Sequence, residues 1–145
     1  MTTRLDHANL TVRDVEGVTR FLTHAFPGFR VRGRGSDCAG LSWVHVGDDA
    51  TYLSLLTASG SPADPFVAYG GAPGLNHLGF EVDDVDAIRG RLRSAGYRES
   101  SVAYDHPHRR RAYFYDDEGN EWEFVQFLSD RAEHRNAYAA GEGAR

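Results

Sequence analysis

Two stretches of the chain alternate apolar and polar residues, and each opens on a histidine. After His7, residues Ala8, Leu10 and Val12 share one face and Asn9 and Thr11 the other; after His77, Leu78, Phe80 and Val82 oppose Gly79 and Glu81. A period of two belongs to a half-buried strand. An aspartate, Asp14 or Asp84, then stands where a helix should open, because its carboxylate can accept from the unpaired N–H groups of a first turn. The period changes at that point. Val15, Val18, Leu22 and Ala25 in one copy, and Val85, Ile88, Leu92 and Ala95 in the other, make one apolar stripe on a helix of about three turns. Residues 7–15 align on residues 77–85 without gaps, so the chain contains an internal repeat.

Three further strands are expected after each helix. They cover residues 29–33, 41–46 and 52–57 in the first copy, and 97–102, 110–115 and 121–127 in the second. Gly47-Asp48-Asp49 and Asp116-Asp117-Glu118-Gly119 supply the last turn of each copy. The fold class read from this order is α+β, two βαβββ modules at about 4–57 and 75–128 within one domain, 1–128. Residues 58–74 read as a loop rather than a linker, since neither half is expected to bury enough surface alone. Residues 129–145 form a polar tail, partly helical or frayed.

Alternation also sorts the polar residues. If Ala8, Leu10 and Val12 pack under their helix, His7, Asn9 and Thr11 face away from it, as do His77, Gly79 and Glu81 in the second copy. In the last strand Trp122, Phe124 and Gln126 share one face, and Glu121, Glu123 and Val125 the other. Two carboxylates mark the wetter face, because an unpaired buried charge is costly. Glu123 is therefore expected to face a cavity with the two histidines.

Composition narrows the functional classes. The 145 residues are 41% hydrophobic and 12% aromatic, enough for one core, and the formal net charge of −5 offers no field for a nucleic-acid backbone or an anionic membrane. Neither is an expected partner. The run Arg109-Arg110-Arg111 reads as a solvated strand start. The single cysteine, Cys38, rules out an intrachain disulfide and suits the cytoplasm. The polar N-terminus and the absence of a long apolar stretch predict a soluble protein.

Taken together, Asp6-His7 before an alternating strand, His77 before Val82-Asp83-Asp84-Val85-Asp86, and the spacing Tyr113-x-x-Asp116-x-x-Gly119-x-x-x-Glu123 resemble the vicinal-oxygen-chelate superfamily. That superfamily includes glyoxalase I, extradiol dioxygenases, fosfomycin-modifying enzymes and bleomycin-binding proteins. The resemblance runs from His7 to Phe127. It implies a cup-shaped, partly open mixed sheet with helices on its outer face. It also implies a homodimer, a small-molecule substrate and one divalent metal ion held by His7, His77 and Glu123. Two imidazoles and a carboxylate suit Fe(II), the favoured ion, and also Mn, Zn, Co or Ni.

Several finer expectations follow from the same resemblance. Glyoxalase-like sites carry a fourth ligand where Ser54 stands, so this site has three protein ligands and leaves more coordination to the substrate. Asn9, Tyr52 and Ser54 are the expected substrate contacts. His106 and Tyr113 stand before Glu123 as a catalytic His and Tyr do in extradiol dioxygenases, which favours Fe(II) dioxygenase chemistry. Non-redox chemistry of the glyoxalase or fosfomycin-resistance type is the alternative, with Glu81, Glu121 or His45 as base. Asn9 replaces a Thr usual in the fosfomycin enzymes. A metal-free, drug-binding protein is the third reading, and retention of all three ligand types argues against it.

Overall fold

The computed structural model describes residues 3–60, 66–100 and 106–138. Two compact units divide the chain, Met1–Pro65 and Phe66–Arg145. In the first, β1 (His7–Val12) leads to α1 (Val15–Ala25), followed by β2 (Arg30–Ser36), β3 (Ser42–Gly47) and β4 (Tyr52–Thr57). In the second, β5 (His77–Glu81) leads to α2 (Val85–Ser94), then β6 (Arg98–Glu99), β7 (Arg109–Tyr115), β8 (Glu121–Phe127) and one helical turn, α3 (Ala132–Arg135). Each unit holds one four-stranded sheet, in the orders β1-β4-β3-β2 and β5-β8-β7-β6. The first strand pairs parallel with the last, and the other pairs are antiparallel. The sheets are mixed and open, and the fold is α+β with two βαβββ modules.

The helices start where their aspartates stand. Asp14 accepts from the Gly17 N–H at 2.9 Å and Asp84 from the Ala87 N–H at 2.9 Å. At the end of α2, Gly96 takes φ +88°, and the Tyr97 N–H bonds back to the Leu92 carbonyl. Only a residue without a Cβ adopts this left-handed turn cheaply. Each helix then buries its stripe on one face of its own sheet. Val18, Phe21 and Leu22 meet Val44, Val46, Leu53 and Leu55 in the first unit, while Val85, Ile88 and Leu92 meet Phe114, Trp122 and Phe124 in the second. Each such side chain contributes about 1.5–3 kcal/mol by leaving water.

Packing the helices on one face leaves the histidines on the other. His7, Asn9 and Thr11 are exposed while Ala8, Leu10 and Val12 are covered, in the alternation expected. No helix among the described residues is long and apolar enough to cross a membrane.

Three local expectations need correction. The first-module strand expected at 29–33 runs to Ser36, with an irregularity between Val31 and Gly33. Its RGRGS sequence has no apolar alternation because Gly33 and Gly35 leave their space to Trp43; a Cβ on Gly35 would lie 2.9 Å from the indole. The strand expected at 97–102 covers only Arg98–Glu99, and residues 101–102 lie outside the described range. Arg109 is not solvated: it is 7% exposed, donates to the Ala137 carbonyl and stands over the rings of Phe127 and Tyr138. The apolar stem and flat guanidinium of an arginine allow this kind of burial.

Candidate functional site

The polar face of the second sheet is organised around Glu123. Antiparallel register sets Tyr113 opposite Glu123, and parallel register sets Gly79 beside it. With no side chain on Gly79, the Glu123 carboxylate lies across that strand position. A Cβ there would stand 3.3 Å from Oε2. His77, two residues earlier on β5, then reaches it, with Nε2 3.0 Å from Oε2. The second carboxylate oxygen, Oε1, accepts the Tyr113 hydroxyl. His77 and Glu123 keep 30% and 14% of their side-chain surface exposed, so the pair is reachable yet partly shielded. Its attraction is screened less than that of a surface pair.

His77 is also held from behind. The Tyr69 hydroxyl lies 2.7 Å from its Nδ1 and donates to Glu121 Oε2 at 2.5 Å. Glu121 shares the face of Glu123, as alternation requires, but is only 3% exposed. A carboxylate expected to be wet is instead covered. Glu81, another candidate base, forms a two-pronged ion pair with Arg135 at 3.1 and 2.5 Å.

On the first sheet, register places His7, Asn9 and Thr11 of β1 beside Tyr52, Ser54 and Leu56 of β4. The His7 Nδ1 lies 2.9 Å from Asp6 Oδ2, a carboxylate oxygen that can only accept, so Nδ1–H donates there. His7 stacks on Tyr52 with ring centroids 4.8 Å apart, and Arg32 stands 4.5 Å over the same ring. His45 packs between Trp43 and Tyr52 at 4.7 and 4.8 Å. The Asn9 amide donates to Ser54 Oγ at 3.0 Å, and Ser54 is buried. Two expected substrate contacts are thus bonded to each other, and the third lies within an aromatic stripe.

His106 joins another group. Its Nδ1 accepts the His108 N–H at 3.1 Å, and its ring meets the His108 ring edge-on at 5.7 Å. His108 stacks in turn on His134, with centroids 3.9 Å apart and planes 4° from parallel. Burial and the positive neighbours His134, His106, Arg109 and Arg131 lower the pKa of His108 below the usual imidazole value.

A divalent ion suits the donors of the second unit. In an octahedral site, bonds of about 2.1 Å at right angles separate two ligand atoms by about 3.0 Å, which is the spacing of His77 Nε2 and Glu123 Oε2. Among the described residues no three His, Cys, Asp or Glu side chains form a ready cluster. His77 and Glu123 in the second unit, and the exposed His7 in the first, are what each unit presents. Sequence reasoning missed Tyr69 and Gly79. Only the placement of a tyrosine between Gly-rich turns just before the His77 strand could have drawn attention to the first.

Comparison with known proteins supports the architecture. The model of the Glyoxalase/Bleomycin resistance protein/Dioxygenase superfamily matches residues 4–124. No curated protein matches the chain at a significant level. Among solved structures, a glyoxylase/bleomycin resistance protein/dioxygenase domain from Frankia sp. EAN1pec is 23% identical with TM-score 0.74, over 94% of this chain and 100% of that one. The fosfomycin resistance protein FosX from Listeria monocytogenes, solved with Mn(II) and sulfate, is 19% identical with TM-score 0.64, over 93% and 98%. A glyoxalase family protein from Bacillus cereus is 18% identical with TM-score 0.69, over 89% and 97%.

Proposed function

Because the chain belongs to the Glyoxalase/Bleomycin resistance protein/Dioxygenase superfamily, we propose that it is a divalent-metal-dependent enzyme. Its substrate is a small molecule bound through vicinal oxygens, and its ligands are His7, His77 and Glu123. The observation that carries this reading is the 3.0 Å approach of His77 Nε2 to Glu123 Oε2 on the half-shielded face of the second sheet. A nitrogen and a carboxylate oxygen at that spacing suit neighbouring positions around one ion. His7, with Nδ1 engaged by Asp6, is the third donor.

Bound there, a divalent ion would supply Lewis acidity to the substrate oxygens. The protein's own groups do the rest. Tyr113 donates to Glu123 Oε1, so its hydroxyl acts first by fixing the carboxylate rather than by touching substrate. Trp43 and Leu56, partners across β3 and β4 on the His7 face, offer apolar surface to the substrate carbon skeleton. His45, held between two rings, is the base best placed on that face to move a proton.

Non-redox chemistry is the leading form of this proposal. The oxygenase expectation leaned on His106 and the missing fourth ligand at Ser54; His106 engages His108, and Tyr113 engages Glu123. FosX, solved with Mn(II), makes that ion the natural first choice here. The working form is a cytoplasmic homodimer.

Elemental analysis of the whole chain, purified without oxygen, tests the proposal beside His77→Ala. About one ion per chain in the wild type and none in the variant is expected. A wild type that takes no divalent ion even after reconstitution would remove the enzyme reading and leave ligand sequestration. Oxygen uptake by the Fe(II)-loaded protein with a panel of catechols would restore the dioxygenase reading.

A further inference from the structure

In the first unit, β2 gives up two side chains to seat one indole. Gly35 pairs with Trp43 of β3, and Gly33 with His45. A Cβ on Gly35 would lie 2.9 Å from the indole, and one on Gly33 would already touch the same ring at 3.6 Å. Glycine weakens a strand interior, and its presence there marks the close approach of another group. The group here is Trp43, which stays only half-buried. The seat holds the ring along the strand and still leaves part of it in solvent.

Trp43 begins a row of rings. It meets His45 at 4.7 Å, His45 meets Tyr52 at 4.8 Å, and Tyr52 stacks on His7 at 4.8 Å. His45 and Tyr52, like Trp43, are half-buried. Adjoining aromatic faces attract a further planar ring beyond what its apolar area alone gives. The fixed charge beside this row has one sign, because the four strands of the first sheet contain no Asp or Glu. Of the three arginines in β2, Arg30 is paired with Asp49 and Arg34 with Glu16, whereas Arg32 stands 4.5 Å over the Tyr52 ring. Asp48, which feels the Arg32 charge from the turn after β3, is engaged by the Ala50 and Thr51 N–H groups at 2.8 and 2.9 Å.

We propose that this row is a stacking subsite for a planar aromatic carboxylate, with the ring of the ligand lying on Trp43 and His45 and its carboxylate held by Arg32. The inference deepens the reading of the His7 face as one that receives a small molecule, and rests on that reading, but it makes no use of the metal. Gly33 and Gly35 act as specificity devices, since they fix the attitude of the Trp43 ring. A saturated skeleton of the same size would cover similar apolar area but present no π face. The flat fork of a guanidinium matches a carboxylate in a way that a point charge does not.

The test is titration of the whole chain, without metal, with naphthoate, its saturated counterpart decalin carboxylate, and the uncharged naphthalene methanol. The chain has two tryptophans, and Trp122 is 1% exposed with its indole N–H donated to Asp116. The Trp43 indole signal in nitrogen-15 NMR, assigned by its loss in Trp43→Leu, therefore reports this face by itself. Naphthoate should shift it saturably, leave Trp122 in place, and bind about 3–10-fold more tightly than decalin carboxylate. Trp43→Leu should bind the two acids alike. Gly35→Val, which crowds the seat but keeps every ring, should lose the same preference and serves if the first variant folds poorly. Naphthalene methanol with the wild type, and naphthoate with Arg32→Gln, should each bind about 2–5-fold more weakly, as befits an exposed ion pair. Equal affinity of the wild type for the two acids overturns the proposal, as does an aromatic preference that survives both Trp43→Leu and Gly35→Val. Undiminished naphthoate binding in Arg32→Gln overturns the role of the carboxylate. An unmoved Trp43 signal in a wild type that still takes up Mn(II) removes the subsite and keeps the metal reading; naphthoate binding by a wild type that takes up no Mn(II) does the reverse.

Discussion

Asp116 shows how much one side chain can organise. Its Oδ1 accepts the Glu118 and Asn120 N–H groups at 3.0 and 2.9 Å, and its Oδ2 accepts the Asn120 amide and the Trp122 indole at 2.9 and 3.1 Å. Burial raises its pKa above 3.8, against the pull of these four donors. The folded chain therefore holds this proton to a higher pH than the unfolded chain. Stability from this group is greatest below the unfolded value, falls as pH rises through the interval between the two values, and is level above it. Asp116→Asn would turn an NH2 toward donors that need an acceptor. A loss of about 1–3 kcal/mol at neutral pH is expected, read as a lower urea midpoint; an unchanged midpoint would contradict the account. This turn was legible, since Asp116 and Gly119 carry the spacing that announces Glu123. Tyr69 was not, because its role depends on a left-handed backbone and a contact across a loop, and neither leaves a period in the sequence.

At the scale of elements, the repeats were legible because each has a local cause. Asp14 and Asp84 cap helices that bury Val18, Leu22 and Ala25, and Val85, Ile88 and Leu92, of the expected stripes, while Ala95 is exposed; β1 and β5 follow their alternation. What escaped were pairings set by a neighbour rather than by the strand itself. β2 continues through Gly33 and Gly35 to accommodate Trp43, and Glu121 is covered by a residue from outside its sheet. The attachment of α3 to β7 belongs here too. His134 of α3 stacks on His108, just before β7, while His106, Arg109 and Arg131 add positive charge or the capacity for it. The pKa of His108 is depressed below 6.5 on folding. The unfolded chain thus binds its proton first as pH falls, and the contribution of the stack is lost from that point downward. As pH falls from neutral to well below the ordinary imidazole value, the ring-current shifts of the His108 and His134 protons should collapse toward free values once folded His108 takes up its proton. In His134→Ala the His108 shifts should already be small at the higher pH. Shifts that persist undiminished into acid would refute the coupling.

For the whole molecule, the proposed ligands are divided between two units that each carry their own sheet and core. His77 and Glu123 belong to the second unit and His7 to the first. An ion bound by all three stabilises the folded chain by mass action, about 2.7 kcal/mol at a free concentration 100 times the dissociation constant. Melting temperature should therefore rise with Mn(II) concentration in the wild type. His7→Ala is the informative variant, because it leaves the 3.0 Å pair of the second unit untouched. If His7 completes the site, this substitution should abolish most of the thermal shift, as Glu123→Ala should. A shift of wild-type size would mean that the second unit holds the ion without it. Protein concentration separates two routes to completion. A site completed within one chain keeps its Mn(II) affinity on dilution, whereas a site completed by the first unit of a second chain loses affinity together with the dimer. Equal affinity across a dilution series carried below the dissociation constant of the proposed dimer would assign His7 and Glu123 to the same chain.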